Sequence, residues 1–427
     1  MPRKLLSSLN FWVVVAALTG YFSALLFGDV AWVSGPQPLF YELVLLLKST
    51  FLALLRMLVA PVIFFSLLGG LLHVGDATRL RSLGGTAVLY YMCTTAIAIS
   101  IGLAAVFFWH PWVGTVEQIT VDSVAQSAAF IPPAGYIDQQ SGSLLKVAQG
   151  MLAAAFTNPF TALAELNILG IATNAFLLGL AMVLVVPQTS PLVASVHQIN
   201  DVLHKLLSWV IWVTPLGIFA IIFDVVLRSG GTLIESLLGF VMVVVAGTLL
   251  HGLVVLPLIA RFFAGVEFST FFAKAARPVM VAFATSSSSA TLPISIQAAE
   301  DEFGVSDSVS GFVLPLGATM NMDGSALYEG IAAIFMAYLF GVELSTAGMV
   351  AVFFMAMVSS IGAPGMPSGS MAAMQMVLLA VGIPLEAIGL LLVVERPLDT
   401  IRTAVNVEGD LVGALVTDRV MKNRAAA

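Results

Sequence analysis

Charge is what this chain has least of: Asp, Glu, Lys and Arg make up 10% of its 427 residues, against a hydrophobic share of 59%. A soluble domain carries about 25% charged residues, so a water-facing globular fold is excluded. Cysteine is nearly absent too. A lone Cys93 excludes an intrachain disulfide framework and a thiolate metal cluster, and is expected to be a small packed residue. The histidines, His73, His110, His197, His204 and His251, are scattered and supply no close ligand pair. His197 and His204 are expected in a connecting stretch, facing solvent or an interface. No basic cluster offers a surface for nucleic acid, and residues 110–145 contain Glu117, Asp122 and Asp138 but no Lys or Arg.

What is present is oil. The mean hydropathy is +1.02, and apolar windows of the ~20 residues that cross a bilayer lie near 10–28, 43–74, 83–109, 148–187, 196–227 and 232–264. The chain reads as an all-α polytopic membrane protein, because helix is how a buried backbone satisfies its own polar groups. Arg3 and Lys4 precede the first window, and the polar Ser7-Ser8-Leu9-Asn10 interrupts any leader-like run, so this reads as a first span. Arg79 and Arg81 follow the second window, and Arg419, Lys422 and Arg424 lie near the far end. Positive charge stays inside, so both termini are expected in the cytoplasm of a cell whose plasma (inner) membrane the chain crosses many times.

Beyond residue 265 the windows shorten into 267–300, 309–340, 344–380 and 384–416, separated by Ser, Gly and Pro. Residues 285–293 read Thr-Ser-Ser-Ser-Ser-Ala-Thr-Leu-Pro and residues 360–370 read Ser-Ile-Gly-Ala-Pro-Gly-Met-Pro-Ser-Gly-Ser. Proline removes a donor, glycine is permissive and serine competes for backbone groups, so each string is expected to be the tip of a re-entrant helical hairpin. A polar span follows each: Asn321-Met322-Asp323-Gly324 after the first, a charged stretch after the second. A hairpin plus an interrupted span, occurring twice, points to inverted repeats with a substrate site at the bilayer midplane. Eight transmembrane helices and two re-entrant hairpins satisfy the even number of crossings.

That charged stretch is the most informative one. On an α-helix Glu395, Asp399, Arg402, Asn406 and Asp410 follow one another at steps of four or three, forming one polar stripe. Left unpaired at a bilayer centre, Asp399, Arg402 and Asp410 together cost roughly 9 kcal/mol. They must face protein, water or ligand.

At these residues the chain resembles the dicarboxylate/amino acid:cation symporters, which include excitatory amino acid transporters, neutral amino acid exchangers and archaeal aspartate transporters. The likeness runs from about residue 50 to 415 and is sharpest in the serine tip, in Gly317-Ala318-Thr319-Met320-Asn321-Met322-Asp323-Gly324, and in Asp399 through Asp410. The inverted-repeat rule was itself drawn partly from this family, so fold and likeness are not independent. The resemblance implies an elevator-type glutamate transporter fold and a homotrimer. A scaffold would comprise residues 1–75 (spans 1–2) and, after an extracellular segment, spans 4–5 within 111–230. A moving domain would comprise residues 76–110 (span 3) and 231–427 (span 6, first hairpin, span 7, second hairpin, span 8).

It also implies a site. Asp399 is expected to pair with a substrate ammonium and Arg402 to grip a side-chain carboxylate through its fork, with Thr403 and Asn406 adding hydrogen bonds. The α-carboxylate falls to Ser287, Ser288, Ser289 and Asn406, and Met366 lies at the second tip. Sodium is the expected coupling ion, not a resident cofactor. One ion matches Asp410 with carbonyls of Gly317, Asn321 and Asn406; a second matches Thr319, Ser360, Ile361 and Ala363; a third matches Tyr91, Thr94, Thr95, Asn321 and Asp323. Glu329 stands where some members carry protons, and a desolvated carboxyl there is a candidate proton carrier. A glutamate satisfied by a hydrogen bond and never titrating is the other reading, and Glu408 is given no role.

The chain departs from the family at Ser286 and Thr400, each a place where one branch carries a second arginine; Arg396 lies about one turn from Asp399. The expected activity is symport of aspartate or glutamate, with no enzyme chemistry. Neutral amino acid or C4-dicarboxylate transport and an ion channel are the alternatives. An intramembrane aspartyl protease using Asp323 with Asp399 or Asp410 requires two carboxylates sharing a proton, and Arg402 between them argues against it.

Overall fold

The computed structural model describes residues 9–73, 83–112, 144–229, 233–362, 365, 369–383 and 387–426, and every regular element among them is helical. The first helices are α1 (Leu9–Phe27), α2 (Leu39–His73), α3 (Gly85–Phe108), α4 (Ile168–Val185) and α5 (Pro191–Ser229). Next comes α6 (Leu233–Leu250), which runs on through a π turn at His251–Val255 and a second at Ala260–Ala264. The rest are α7 (Phe268–Thr285), α8 (Ser288–Gln297), α9 (Asp307–Met320), α10 (Asp323–Leu339), α11 (Thr346–Gly362), α12 (Ser370–Ala380) and α13 (Ala387–Ala426). Leu39–Leu72, Gly85–Phe108, Pro191–Arg228 and Ser236–Ala264 are long and apolar enough to cross a membrane, and Phe11–Phe27, Leu169–Val185 and Thr346–Ile361 are shorter apolar helices.

Helix α5 packs along α1 and α2, and α2 along α4, making one bundle. A second forms around α10, which touches α3, α6, α11 and α13, while α13 also packs on α7 and α9. Nearly every side chain of α10 is buried. A helix enclosed all round presents its few polar groups to neighbours, not to lipid. Outward faces elsewhere are apolar, as at Phe22, Leu26, Met57, Phe107 and Trp212.

Several local expectations change. The window 148–187 is not one helix but Leu144–Ala155, Pro159–Ala164 and α4. Asn158 accepts from the Phe160 N–H at 2.9 Å and Asn167 from the Gly170 N–H at 3.1 Å, so each starts a new helix. The Asn167 amide also donates to the Ala154 carbonyl at 2.9 Å and pins the corner. The first hairpin breaks only at Ser286 and Ser287, and residues 288–293 are already helical despite Pro293. The stripe is uninterrupted: α13 runs through Pro397 because its neighbours hold it, packing overriding propensity. His197 and His204 lie within α5, not in a connection. Cys93 is exposed, on the face of α3 opposite the buried Tyr91, Thr94 and Thr95.

Candidate functional site

The two breaks expected at hairpin tips meet each other. Ser286 adopts a left-handed conformation (φ 51°), which turns the chain, and Ser287 caps α8 by accepting from the Ala290 N–H at 3.1 Å. The Gly365 carbonyl then accepts from the Ser287 hydroxyl at 2.8 Å and from the Ser289 N–H at 3.0 Å. Ser288 is buried at the first turn of α8. Met366 and Ala363 lie outside the described residues.

Below the tips, the stripe of α13 converges. The Arg402 Nη2 donates to Glu395 Oε1 at 2.6 Å and to Asp399 Oδ1 at 3.2 Å. Its guanidinium carbon lies 3.9 Å from the centroid of the Tyr328 ring, a cation–π contact from α10. Glu395 Oε1 also accepts from the Ser370 hydroxyl at 3.2 Å, which ties the cluster to α12. Arg402 is wholly buried, yet its Nε and Nη1, and Glu395 Oε2, have no hydrogen-bond partner among the described residues. Burying such donors unpaired is costly, so further hydrogen-bond partners, from water or a ligand, are expected at this cluster. Thr403 is buried one residue on, and the Asn406 side chain accepts from the Gly324 N–H at 2.8 Å and donates to Ser325 Oγ at 3.3 Å. Gly324 has to be glycine here: a Cβ would sit 2.7 Å from the Arg402 carbonyl oxygen.

A second group lies where α9 ends and α10 begins. The chain unwinds over Asn321 and Met322, and Asn321 Nδ2 donates to Asp410 Oδ1 at 3.1 Å. Thr95 donates to Asp323 Oδ1 at 2.7 Å, and Thr94 lies 3.4 Å from Asn321 Oδ1. Tyr91 donates to the Val313 carbonyl at 2.8 Å, and a Cβ on Gly317 would meet both Asp410 Oδ1 and the Tyr91 hydroxyl. Asp323, Asp410, Asn321 and the α3 hydroxyls therefore form one buried oxygen-rich patch, with neither carboxylate paired to a Lys or Arg among the described residues. Hard cations prefer such oxygen ligands. The Thr319, Ser360 and Ile361 set is less developed: Thr319 bonds back to the Leu316 carbonyl and Ser360 to the Met357 carbonyl. Glu329 is wholly buried and accepts through Oε2 from the Ser359 hydroxyl of α11, while its Oε1 has no partner among the described residues.

A sequence model of the Sodium:dicarboxylate symporter family matches residues 9–420. This chain belongs to that family. Its relatives include neutral amino acid transporter B(0) of Oryctolagus cuniculus, 32% identical over 85% of this chain and 71% of the relative. A putative sodium-dependent excitatory amino acid transporter of Caenorhabditis elegans is 33% identical over 88% of this chain and 82% of its own length. Neutral amino acid transporter A of Homo sapiens is 32% identical over 85% and 73%. The family and these relatives are membrane transporters, not enzymes.

Two contacts in this region were not visible in the sequence. His251, buried in the first π turn of α6, brings Nε2 to 3.1 Å from Asp323 Oδ2. Helix π turns recur at functional sites, but nothing in the local sequence marks a contact with a residue 72 positions away. Glu395 was visible as a stripe member, but its role as the principal partner of Arg402 was not. Glu408 is buried, with Oε1 unpartnered among the described residues, against Gly252 of the same π turn.

Proposed function

We propose that this chain is a sodium-driven symporter of aspartate or glutamate, and that the Arg402 cluster is its substrate site. The observation that carries the reading is the wholly buried guanidinium whose Nε and Nη1 have no partner among the described residues, beside Asp399. Asp399 receives the substrate ammonium and Arg402 its side-chain carboxylate. The serine tip and Asn406 receive the α-carboxylate, and the contact of the tip with Gly365 closes the site. Sodium ions enter the oxygen-rich patch around Asp323, Asn321 and Asp410, and the Thr319, Ser360, Ile361 and Ala363 set takes another. Coupling requires that ions and substrate favour closure together. Glu329, facing Ser359 across α10 and α11, carries a proton.

In this reading the membrane is crossed at α1, α2, α3, the pieces from Leu144 to Val185, α5, α6, α9 with α10, and α13. The pairs α7–α8 and α11–α12 are the re-entrant hairpins, both termini are cytoplasmic, and the protein is a plasma-membrane homotrimer. The bundle of α1, α2, α4 and α5 is the fixed scaffold, and the bundle around α10 travels as an elevator. The closer packing of helices within each bundle than between the two supports this division.

One observation favours a second reading. With all three groups ionised, Arg402 (+1), Glu395 (−1) and Asp399 (−1) sum to −1. Glu395 already neutralises the guanidinium, so a neutral zwitterion needs no further cation, whereas an acidic one adds a negative charge. Counterflow of labelled aspartate and labelled alanine in proteoliposomes, with sodium on both sides, separates them. Aspartate exchange that alanine fails to match supports the acidic reading; the reverse order overturns it.

A further inference from the structure

We propose that Ser370, at the start of α12, is a positioning residue for substrate choice: it holds Glu395 on Arg402, in competition with a substrate carboxylate, and so sets how far acidic amino acids are favoured over neutral ones. The inference rests on the Arg402 cluster being the substrate site. A carboxylate grips a guanidinium with two parallel hydrogen bonds, either across the two Nη ends or along Nε and Nη2. Both grips need Nη2. Here Nη2 already donates to Glu395 Oε1 at 2.6 Å and to Asp399 Oδ1 at 3.2 Å, while Nε and Nη1 have no partner among the described residues. Each fork therefore has one prong open and one taken. In the proposed site the substrate ammonium draws Asp399 away, which leaves Glu395 as the competitor. The Ser370 hydroxyl donates to the same oxygen, Oε1, at 3.2 Å. Ser370, Glu395 and Arg402 are all buried, so this three-way contact is shielded from solvent. A hydroxyl on Oε1 keeps that oxygen turned toward Nη2 and restrains Glu395 from swinging aside to admit a second carboxylate. An uncharged substrate side chain makes no such demand and leaves the Glu395–Arg402 pair intact.

The test measures the affinities of the purified full chain for L-aspartate and L-alanine by calorimetry in saturating sodium, and follows their ratio. Glu395→Gln keeps the shape but gives up the charge, and should move the ratio toward aspartate roughly tenfold. Ser370→Ala should move it the same way by about threefold, the scale of one hydrogen bond. Ser370→Thr keeps the hydroxyl and should hold the parent ratio. In the double variant Glu395→Gln with Ser370→Ala, the second substitution should add nothing, because its effect runs through the Glu395 carboxylate. An unchanged ratio in Ser370→Ala, equal weakening of both substrates, or the full Ser370→Ala effect on top of Glu395→Gln overturns the proposal. If Glu395→Gln folds poorly, the pair Ser370→Ala and Ser370→Thr still decides. A parent that prefers alanine would fail the acidic reading in counterflow, yet the shift in ratio between parent and variant would still be measured here, so the two failures are told apart.

Discussion

Two of the buried charge clusters among the described residues are built differently. Between α2 and α5, Asp224 accepts from Tyr41 at 2.5 Å, from Lys48 at 2.7 Å and from Arg228 Nε at 2.8 Å. Both of its oxygens are engaged. Around Arg402, by contrast, a buried guanidinium keeps free donors, and carboxyl oxygens of Glu395 and Glu329 have no partner among the described residues. A satisfied cluster holds helices together; in a cluster with polar atoms left over, water or a ligand has to supply the missing partners. The difference teaches where function lies more directly than burial does, since Asp224 and Arg402 are equally hidden from solvent.

The comparison breaks most visibly at Asp224. Asp224→Asn removes the charge that Lys48 and Arg228 share, and uncompensated buried charge costs about 3–5 kcal/mol. Thermal unfolding in detergent should show the loss, while the ranking of substrates in the surviving protein stays as it was. A changed ranking would erase the distinction drawn here. At the other cluster, Arg402→Cys should weaken aspartate binding by about 100-fold, the scale of losing one partner of a desolvated charge pair, and shift preference toward neutral amino acids. Unchanged aspartate affinity would remove Arg402 from the site.

Smaller effects sharpen the contrast. Asp410→Asn should raise the sodium concentration for half-maximal uptake about tenfold, since a carboxylate charge leaves an oxygen-rich cation patch. Glu329→Gln keeps the shape and the bond to Ser359 but cannot take up a proton. Uptake that rises on external acidification in the parent should therefore become flat with pH in the variant, and an unaltered pH profile would leave Glu329 a structural residue. The least expected effect is Tyr41→Phe, about 1 kcal/mol of stability for one hydrogen bond among several on Asp224.

Much of the site was legible because it is local. Asp399, Arg402, Asn406 and Asp410 share a helix face by spacing alone, and α13 places Arg402 directly on Glu395 and Asp399. The unwinding at Asn321 and Met322 likewise follows from a polar string inside an oily one. What escaped depends on packing between distant segments. His251 reaches Asp323, and Lys48 reaches Asp224 from 176 positions away; periodicity carries no record of such pairs. The extent of the first tip escaped for another reason: Pro293 and the serines were weighed as helix breakers one by one, whereas the cap at Ser287 decides where α8 begins.

The most direct test of the account is calorimetric titration of the purified chain with L-aspartate, in saturating sodium and again with choline in its place. The account predicts saturable heat that requires sodium and is lost in Arg402→Cys. No aspartate heat in sodium, with L-alanine binding instead, would contradict the assignment of the free guanidinium edge to an acidic substrate.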